Sequence, residues 1–336
     1  MNRRSLFALL LVLVSSGGVG RADSAPFGVA SAFSLVALGT VDSHGNTVLA
    51  GTIGTQADVQ GRMAAAGLIT KSTTVGSKLG SDPFGSLAGG YAIVTGTGIS
   101  SGNYFNVNGG GKVYAPTNHG GYNWNESPRG SLVTSGPSPI DFNSLRSFMD
   151  TETLILASLT ANGTVGAPTP KGGNPSWLVL SGTSTTLNVF TVTADQFASA
   201  NHPLDIQVPV GSTVVINVQG TNVTLGTGIY FNGQQESDTN DDGNKILFNF
   251  AGASHVTIDG QFDGALLAPF AILTGGSQMG GNFIAAQIGL TGEVHNDEFS
   301  GTIPTVPNVV PEPWTLALVG SGLLAMAILA RRKRIA

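Results

Sequence analysis

One short element occurs four times in the chain: Gly61-Arg-Met-Ala-Ala-Ala66, Gly111-Lys-Val-Tyr-Ala-Pro116, Gly264-Ala-Leu-Leu-Ala-Pro269 and Gly281-Asn-Phe-Ile-Ala-Ala286. Its pattern is Gly, any residue, an apolar residue, any residue, Ala, then Ala or Pro. The last two copies start 17 residues apart. That is about one turn of a parallel β-solenoid, in which small residues serve the corners and alternate inward residues stack coil on coil. The spacing predicts a mainly-β fold, a right-handed parallel β-solenoid. The 48 glycines among 336 residues are about twice the average share of roughly 7%. No Gly-X-Y period accompanies them, so collagen is excluded.

Short apolar runs between Gly, Asn and Asp turns read as strands. They include Phe33 to Leu38, Thr47 to Ile53, Tyr91 to Thr95, Leu178 to Leu180, Thr213 to Val218, Lys245 to Phe250 and His255 to Ile258. The Thr213 to Val218 run is nearly all β-branched, as expected of a strand covered on both faces. One segment breaks the pattern. From Asp141 to Leu159, the residues Phe142, Leu145, Met149, Leu156 and Leu159 share one helical face. Asp141 is placed as N-cap, Ile140 and Leu145 as a hydrophobic staple, and Asn162-Gly163 as the stop. A helix of this length is not stable alone, so it is expected to lie along the solenoid. A shorter helix is expected over Ala194 to Ala200.

The two ends read differently. Residues 1–22 have a basic start (Arg3, Arg4), an apolar run from Leu6 to Val14 and small residues at Gly20 and Ala22, the order of a secretory signal peptide. Residues 303–310 form a Pro-rich linker, and residues 311–336 a tail. In the tail, Trp314 to Ala330 is a 17-residue uncharged run, followed by the basic cluster Arg331, Arg332, Lys333 and Arg334. At ~1.5 Å per residue the run reaches roughly 26 Å, which predicts a C-terminal transmembrane helix over 314–330. The basic cluster is then cytoplasmic and everything before it outside.

These ends distort the charge. The whole chain carries 15 Lys/Arg and 20 Asp/Glu, net −5. Seven of the basic residues and only Glu312 of the acidic ones lie in residues 1–22 and 311–336, so the body from Asp23 to Val310 holds 8 against 19, net −11. Such a body attracts cations and gives no electrostatic reason for nucleic-acid binding. The absence of cysteine excludes disulfides, Cys-ligated zinc, iron–sulfur clusters and a thiol nucleophile.

The most site-like motif is Asp238-Thr-Asn240-Asp-Asp242-Gly243. It has oxygen ligands at positions 1, 3 and 5 and Gly at 6 of a calcium loop, but position 12 is Asn249 where an EF-hand needs Glu. Two readings stand: a looser Ca2+ loop through Asp238, Asn240 and Asp242, or an acidic hairpin tip closed by an Asp-Gly turn. The five histidines, His44, His119, His202, His255 and His295, show no metal spacing. Tyr122 and Trp124 are expected to pack down on the solenoid, and His295-Asn-Asp297-Glu298 to form a turn with local side-chain hydrogen bonds. Asp259 and Asp263 are the one carboxylate pair that a polysaccharide-acting β-helix enzyme could use, and few Lys/Arg are present to hold an acidic glycan. No catalytic residue is assigned. Thr is frequent (Thr221, Thr224, Thr227), without the Thr-x-Thr repeat of an ice-binding protein.

Two resemblances add to this. Pro311-Glu312-Pro313, the apolar run and the basic cluster resemble the PEP-CTERM sorting signal of Gram-negative bacteria. That resemblance implies recognition of Pro311, Glu312 and Pro313 by an exosortase, after Sec export and inner-membrane anchoring, and release to the cell surface or extracellular matrix. The body, residues 23–302, resembles the choice-of-anchor A family. The likeness is carried by Phe33-Ser-Leu-Val-Ala-Leu-Gly39, Asp58-Val-Gln-Gly-Arg-Met-Ala-Ala-Ala-Gly67, Val214-Val-Ile-Asn-Val-Gln-Gly220, Gly264 to Pro269, Asn282 to Ala285 and Glu293-Val-His-Asn-Asp-Glu-Phe-Ser-Gly301. It implies an ice-binding-like or adhesin-like solenoid without catalytic residues. The expected function is therefore a non-enzymatic adhesive or structural protein of an exopolysaccharide matrix or biofilm. The alternatives are a polysaccharide-acting enzyme and an ice-binding protein.

Overall fold

A computed structural model describes residues 25–125, 129–166, 169–171, 174–199, 204–226, 228–235 and 241–304. The sequence expectations for 1–22, 311–313, 314–330 and 331–334 lie outside these residues. Among the described residues no helix is long and apolar enough to cross a membrane.

The chain winds into stacked coils of parallel strands with three faces. On the first face ten strands lie side by side. Their order is Leu132–Val133, Lys112–Tyr114, Tyr91–Thr95, Met63–Ala65, Leu35–Ala37, Phe283–Leu290, Ala265–Gly275, Ile246–Asn249, Thr213–Gln219 and Leu187–Thr193. All pairings along this row are parallel. The order shows what no local pattern could: the first described strand of the row, Leu35–Ala37, lies in its middle. The first coils build outward to Leu132–Val133. The helix then intervenes, and the later coils build inward from Leu187–Thr193 until the last, Phe283–Leu290, pairs with the first, Leu35–Ala37.

The four copies of the repeat fall on this face in one register. Their apolar residues Met63, Val113, Leu266 and Phe283 point inward, in a row with Ile93, Leu35, Phe248, Ile216 and Phe190. All of these are almost fully buried. The Gly opening a copy lets coils approach closely. At Gly281, φ is +127° and the carbonyl oxygen of Gly264 occupies the place a Cβ would take, so any side chain there both clashes and strains the backbone.

The outer side of the first face is also covered. Val36, Ala64, Val94, Val215, Leu247, Leu267 and Ile284 form a second core with the helix Phe142–Ser158 and with Phe27, Phe33 and Phe299. Thr213–Gln219 is buried on both sides up to Val218, which explains its β-branched run. Asp141 caps the helix as expected, accepting from the backbone amides of Asn143 at 3.1 Å and Ser144 at 3.2 Å. The Ser144 hydroxyl and these amides hold its carboxyl below the usual range. The staple residues Ile140 and Leu145 are buried. Two asparagines in register, Asn217 and Asn249, fasten the helix to the sheet. Asn217 donates to Leu156 O at 2.7 Å, while Asn249 donates to Thr153 O at 2.9 Å and to Asn217 Oδ1 at 2.8 Å.

One strand expectation differs. Thr47 to Ile53 is not continuous: Thr47–Leu49 turns back antiparallel on Thr40–Val41, and Ile53 makes isolated bridges further on. Gly51 breaks the run, with φ +69° and Gly39 N, Ala66 Cβ and Ala37 O so close that a side chain there would clash.

Candidate functional site

The second face carries an ordered outer row. Its inner row is Val223, Val256, Leu273, Ile288, Ile53, Ile69 and Ile99, all buried and joined coil to coil. Strand alternation then turns the next residue of each coil outward. That outer row reads Thr224, Thr257, Thr274, Gly289, Gly54, Thr70 and Ser100. Neighbouring strands are about 4.8 Å apart, so the row repeats at that interval. Thr224, Thr257 and Thr274 are exposed, and the hydroxyls of Thr257 and Thr274 stand 3.4 Å apart. The remaining positions recede. Thr70 and Ser100 are half-buried and donate to Ile53 O and Ile69 O of the preceding coil, while Gly289 and Gly54 offer no side chain. Two residues upstream, a parallel row holds Asn222, His255, Ile272 and Gln287, about 6.7 Å away along the strands.

Three exposed threonines thus stand in register on neighbouring coils, without a carboxylate in either row. The sequence reading sought Thr-x-Thr along one strand. The structure builds the row across coils from residues 33 and 17 apart. Of the threonines named from sequence, Thr224 belongs to it, Thr221 lies at the preceding corner and Thr227 falls outside the described residues.

The third face carries a group of titratable side chains. Its first and last coils meet through the bridge of Val59 with Val294, and Val59 also bridges to Val75 of the second coil. The two segments 58–67 and 293–301 thus come together. Gln60 donates to Glu293 at 3.1 Å, and Asn296 to Lys78 O at 3.4 Å. The closing segment is therefore bonded over long sequence distances, not only locally as expected. Burial first, then the neighbouring Glu293, raises the Asp58 carboxyl. Asn282, fully buried, donates to Phe33 O at 2.9 Å and accepts from Phe299 N at 2.7 Å, joining both segments to the chain start.

Asp259 and Asp263 are not brought together. Asp259 is exposed at a corner, whereas Asp263 is buried and faces Asp297 across Gly280. Tyr122 and Trp124 do pack down: Tyr122 stacks on Phe105 and Trp124 on Tyr122, with ring centroids 6.0 and 5.4 Å apart, closing one end of the core. Burial raises the Tyr122 hydroxyl, which donates to Asn118 at 2.6 Å. His44 sits at an exposed hairpin tip, His119 and His255 are exposed on the second face, and His295 is buried. His202, Asp238 and Asn240 lie outside the described residues, and Asp242 lies in the 3-10 turn Asp241–Lys245. Among the described residues no three His, Asp or Glu side chains are grouped to hold a metal ion.

A family profile described as "Putative Ice-binding-like adhesive domain" matches residues 26–296. Solved structures similar to the chain include an ice-binding protein from the Antarctic ascomycete Antarctomyces psychrotrophicus. It has 12% identity and a TM-score of 0.33, and the match covers 83% of this chain and 98% of that one. A glycosylated ice-binding protein from an Arctic yeast has 15% identity and a TM-score of 0.32, with 86% and 99% covered. Among curated proteins, no sequence matches.

Proposed function

Since the chain belongs to the ice-binding-like adhesive domain family, we propose that it is an exported, non-enzymatic adhesive module that grips an extended, hydroxyl-rich surface through its second face. The observation that supports this most is the exposed in-register row Thr224, Thr257 and Thr274. A repeating polysaccharide presents hydroxyls at regular intervals. A row of hydroxyls and methyls in register meets such a lattice with little ordering cost, because the sheet already holds the strands in place. The acidic body, net −11 between Asp23 and Val310, favours a neutral polymer over an anionic one.

The finer reading is that of a choice-of-anchor A protein. Residues 1–22 direct Sec export, and Pro311, Glu312 and Pro313 present the tail to an exosortase while 314–330 and Arg331 to Arg334 hold it in the inner membrane. The protein then works at the cell surface or in the matrix. Subcellular fractionation with mass spectrometry of the C-terminus tests this: a mature end near residue 310 in the surface fraction is expected, and a cytoplasmic full-length protein overturns it. A glycan array tests the adhesive reading, with binding to neutral polymers expected. Turnover of any glycan by the purified protein overturns it. The same Thr row supports ice as a second ligand, for which thermal hysteresis in solution is the readout.

A further inference from the structure

The adhesive reading leaves the third face of the earlier coils unused. Three strands lie there in parallel register: Thr73–Val75, Tyr104–Val107 and Gly121–Trp124. Val75, Phe105 and Val107 point into the core, and alternation turns the residues between them outward. Outside, Thr74, Asn106 and Asn123 form one row, with Tyr104 and Gly121 in another beside it. Tyr104 is the only exposed aromatic residue among the described residues, at 53%. Its ring leans over the next coil, where Gly121 makes room for it. A Cβ at Gly121 would fall 2.7 Å from Tyr104 Cδ2 and 2.9 Å from Cε2. The Tyr104 backbone is held as well, its amide donating to Ser72 Oγ at 2.9 Å.

The side-chain amides beside the ring are bonded in one direction. Asn123 donates to Asn106 Oδ1 at 3.3 Å, and Asn106 to Thr74 Oγ1 at 3.4 Å. Two residues on, Asn125 donates to Asn108 Oδ1 at 2.9 Å. An amide has two N–H groups and two acceptor positions. The ladder therefore fixes the asparagines and leaves each of them donors and acceptors to spare. No charged residue stands in these rows, and the first carboxylate is Asp58, one coil nearer the seam.

A sugar ring fits this surface on two counts. Its faces carry C–H groups, which pack on an aromatic ring. Its rim carries hydroxyls that both donate and accept, as amides do. One ring offers far less apolar area than a stable protein interface, which buries about 1,200–2,000 Å² in all. The acidic body also opposes a second copy of itself. We infer that Tyr104, Asn106 and Asn123 form a subsite for a single chain of neutral sugars, the ring stacking on one sugar and the amides bonding the hydroxyls of its neighbour. This rests on the adhesive reading for the class of ligand only, and the second face has no part in it. One ring and two amides hold a chain weakly, so adsorption to a surface stays with the second face. A protein that grips a surface there and a free chain here ties the two together.

Titration calorimetry of the full-length protein with cellohexaose, laminarihexaose and mannohexaose tests the subsite. At least one of them is expected to bind. Tyr104→Ala should weaken that binding about tenfold, Asn123→Ala should weaken it by a smaller factor, and Tyr104→Trp should keep it. The urea midpoint of Tyr104→Ala should stay that of the parent, because the ring is exposed. Thr257→Tyr/Thr274→Tyr should bind the hexasaccharide as the parent does. Binding of none of the three, or undiminished binding by Tyr104→Ala, overturns the subsite, and a lowered midpoint with undiminished binding assigns the ring to packing alone. Binding lost in the threonine variant and kept in Tyr104→Ala places the chain on the second face, which overturns the subsite and leaves the adhesive reading standing. Failure of the adhesive reading looks different: the parent then does not adsorb to a polysaccharide surface, whether or not a hexasaccharide binds at Tyr104.

Discussion

The C-terminal and N-terminal coils share one plan and differ in material. In the later coils the inner row of the first face includes Phe190, Phe248 and Phe283, and Phe262 from the third face packs between the last two, with ring centroids 5.0 and 5.8 Å away. In the earlier coils the same row is Leu35, Met63, Ile93 and Val113, closed at its end by the Tyr122 and Trp124 lid. The strands differ too. Ala265–Gly275 has 11 residues and Phe283–Leu290 has 8, each running across the first and second faces. Met63–Ala65 and Leu68–Ile69 have 3 and 2. The exposed threonines of that outer row, Thr224, Thr257 and Thr274, lie on the later coils, and those coils also carry the Asn217 and Asn249 fastening to the helix. The half with the longer strands and the aromatic row therefore bears the candidate contact surface, while the earlier half completes and closes the stack.

The largest expected effect comes from the aromatic core. Phe248→Ala should lower stability by about 3–5 kcal/mol, since it opens a cavity between rings. Trp124→Ala, in the half-exposed lid, should cost only about 2 kcal/mol. Urea melts of both variants check the order, and equal losses break the comparison. The fastening comes next. Asn249→Ala leaves the Thr153 hydroxyl and Asn217 Oδ1 without their bonds and should cost about 1–3 kcal/mol, with exchange rising first in the helix Phe142–Ser158.

The pH dependence follows the Glu298 carboxyl, which burial raises. Its folded value, about 7, lies above the ordinary 4.5. Its contribution to stability is thus full below about pH 4.5 and is lost as pH rises through 7. The urea midpoint should fall over that window in the parent protein and much less in Glu298→Gln. Asp141→Ala removes the helix cap and should cost about 1 kcal/mol. The smallest change is on the second face, where Thr257→Tyr should shift stability by no more than about 0.5 kcal/mol while weakening surface binding.

Much of the architecture was legible in the sequence because a solenoid repeats its local rules. Gly264 and Gly281 marked one coil, and the structure places all four copies of their element on one face. Asp141, Ile140 and Leu145 marked the helix start because capping is local chemistry. The fold-back was not legible: Leu35 pairs with Phe283, and no pattern near either residue encodes that neighbour. Yet Asp58 to Gly67 and Glu293 to Gly301, two of the six segments on which the resemblance was read, meet beside that pairing. The Thr row escaped because its partners lie in different coils. The signal was present, since Thr257 and Thr274 are separated by the same 17 residues as Gly264 and Gly281.

Adsorption of the full-length protein to a neutral polysaccharide surface tests the division of labour most directly. Thr257→Tyr/Thr274→Tyr on the later coils is compared with Thr70→Tyr on the earlier ones. The double variant is expected to lose at least tenfold in affinity and the Thr70 variant to keep it, both retaining the parent fold by circular dichroism. Equal losses in the two, or full binding by the double variant, would contradict a contact surface built on the threonines of the C-terminal coils.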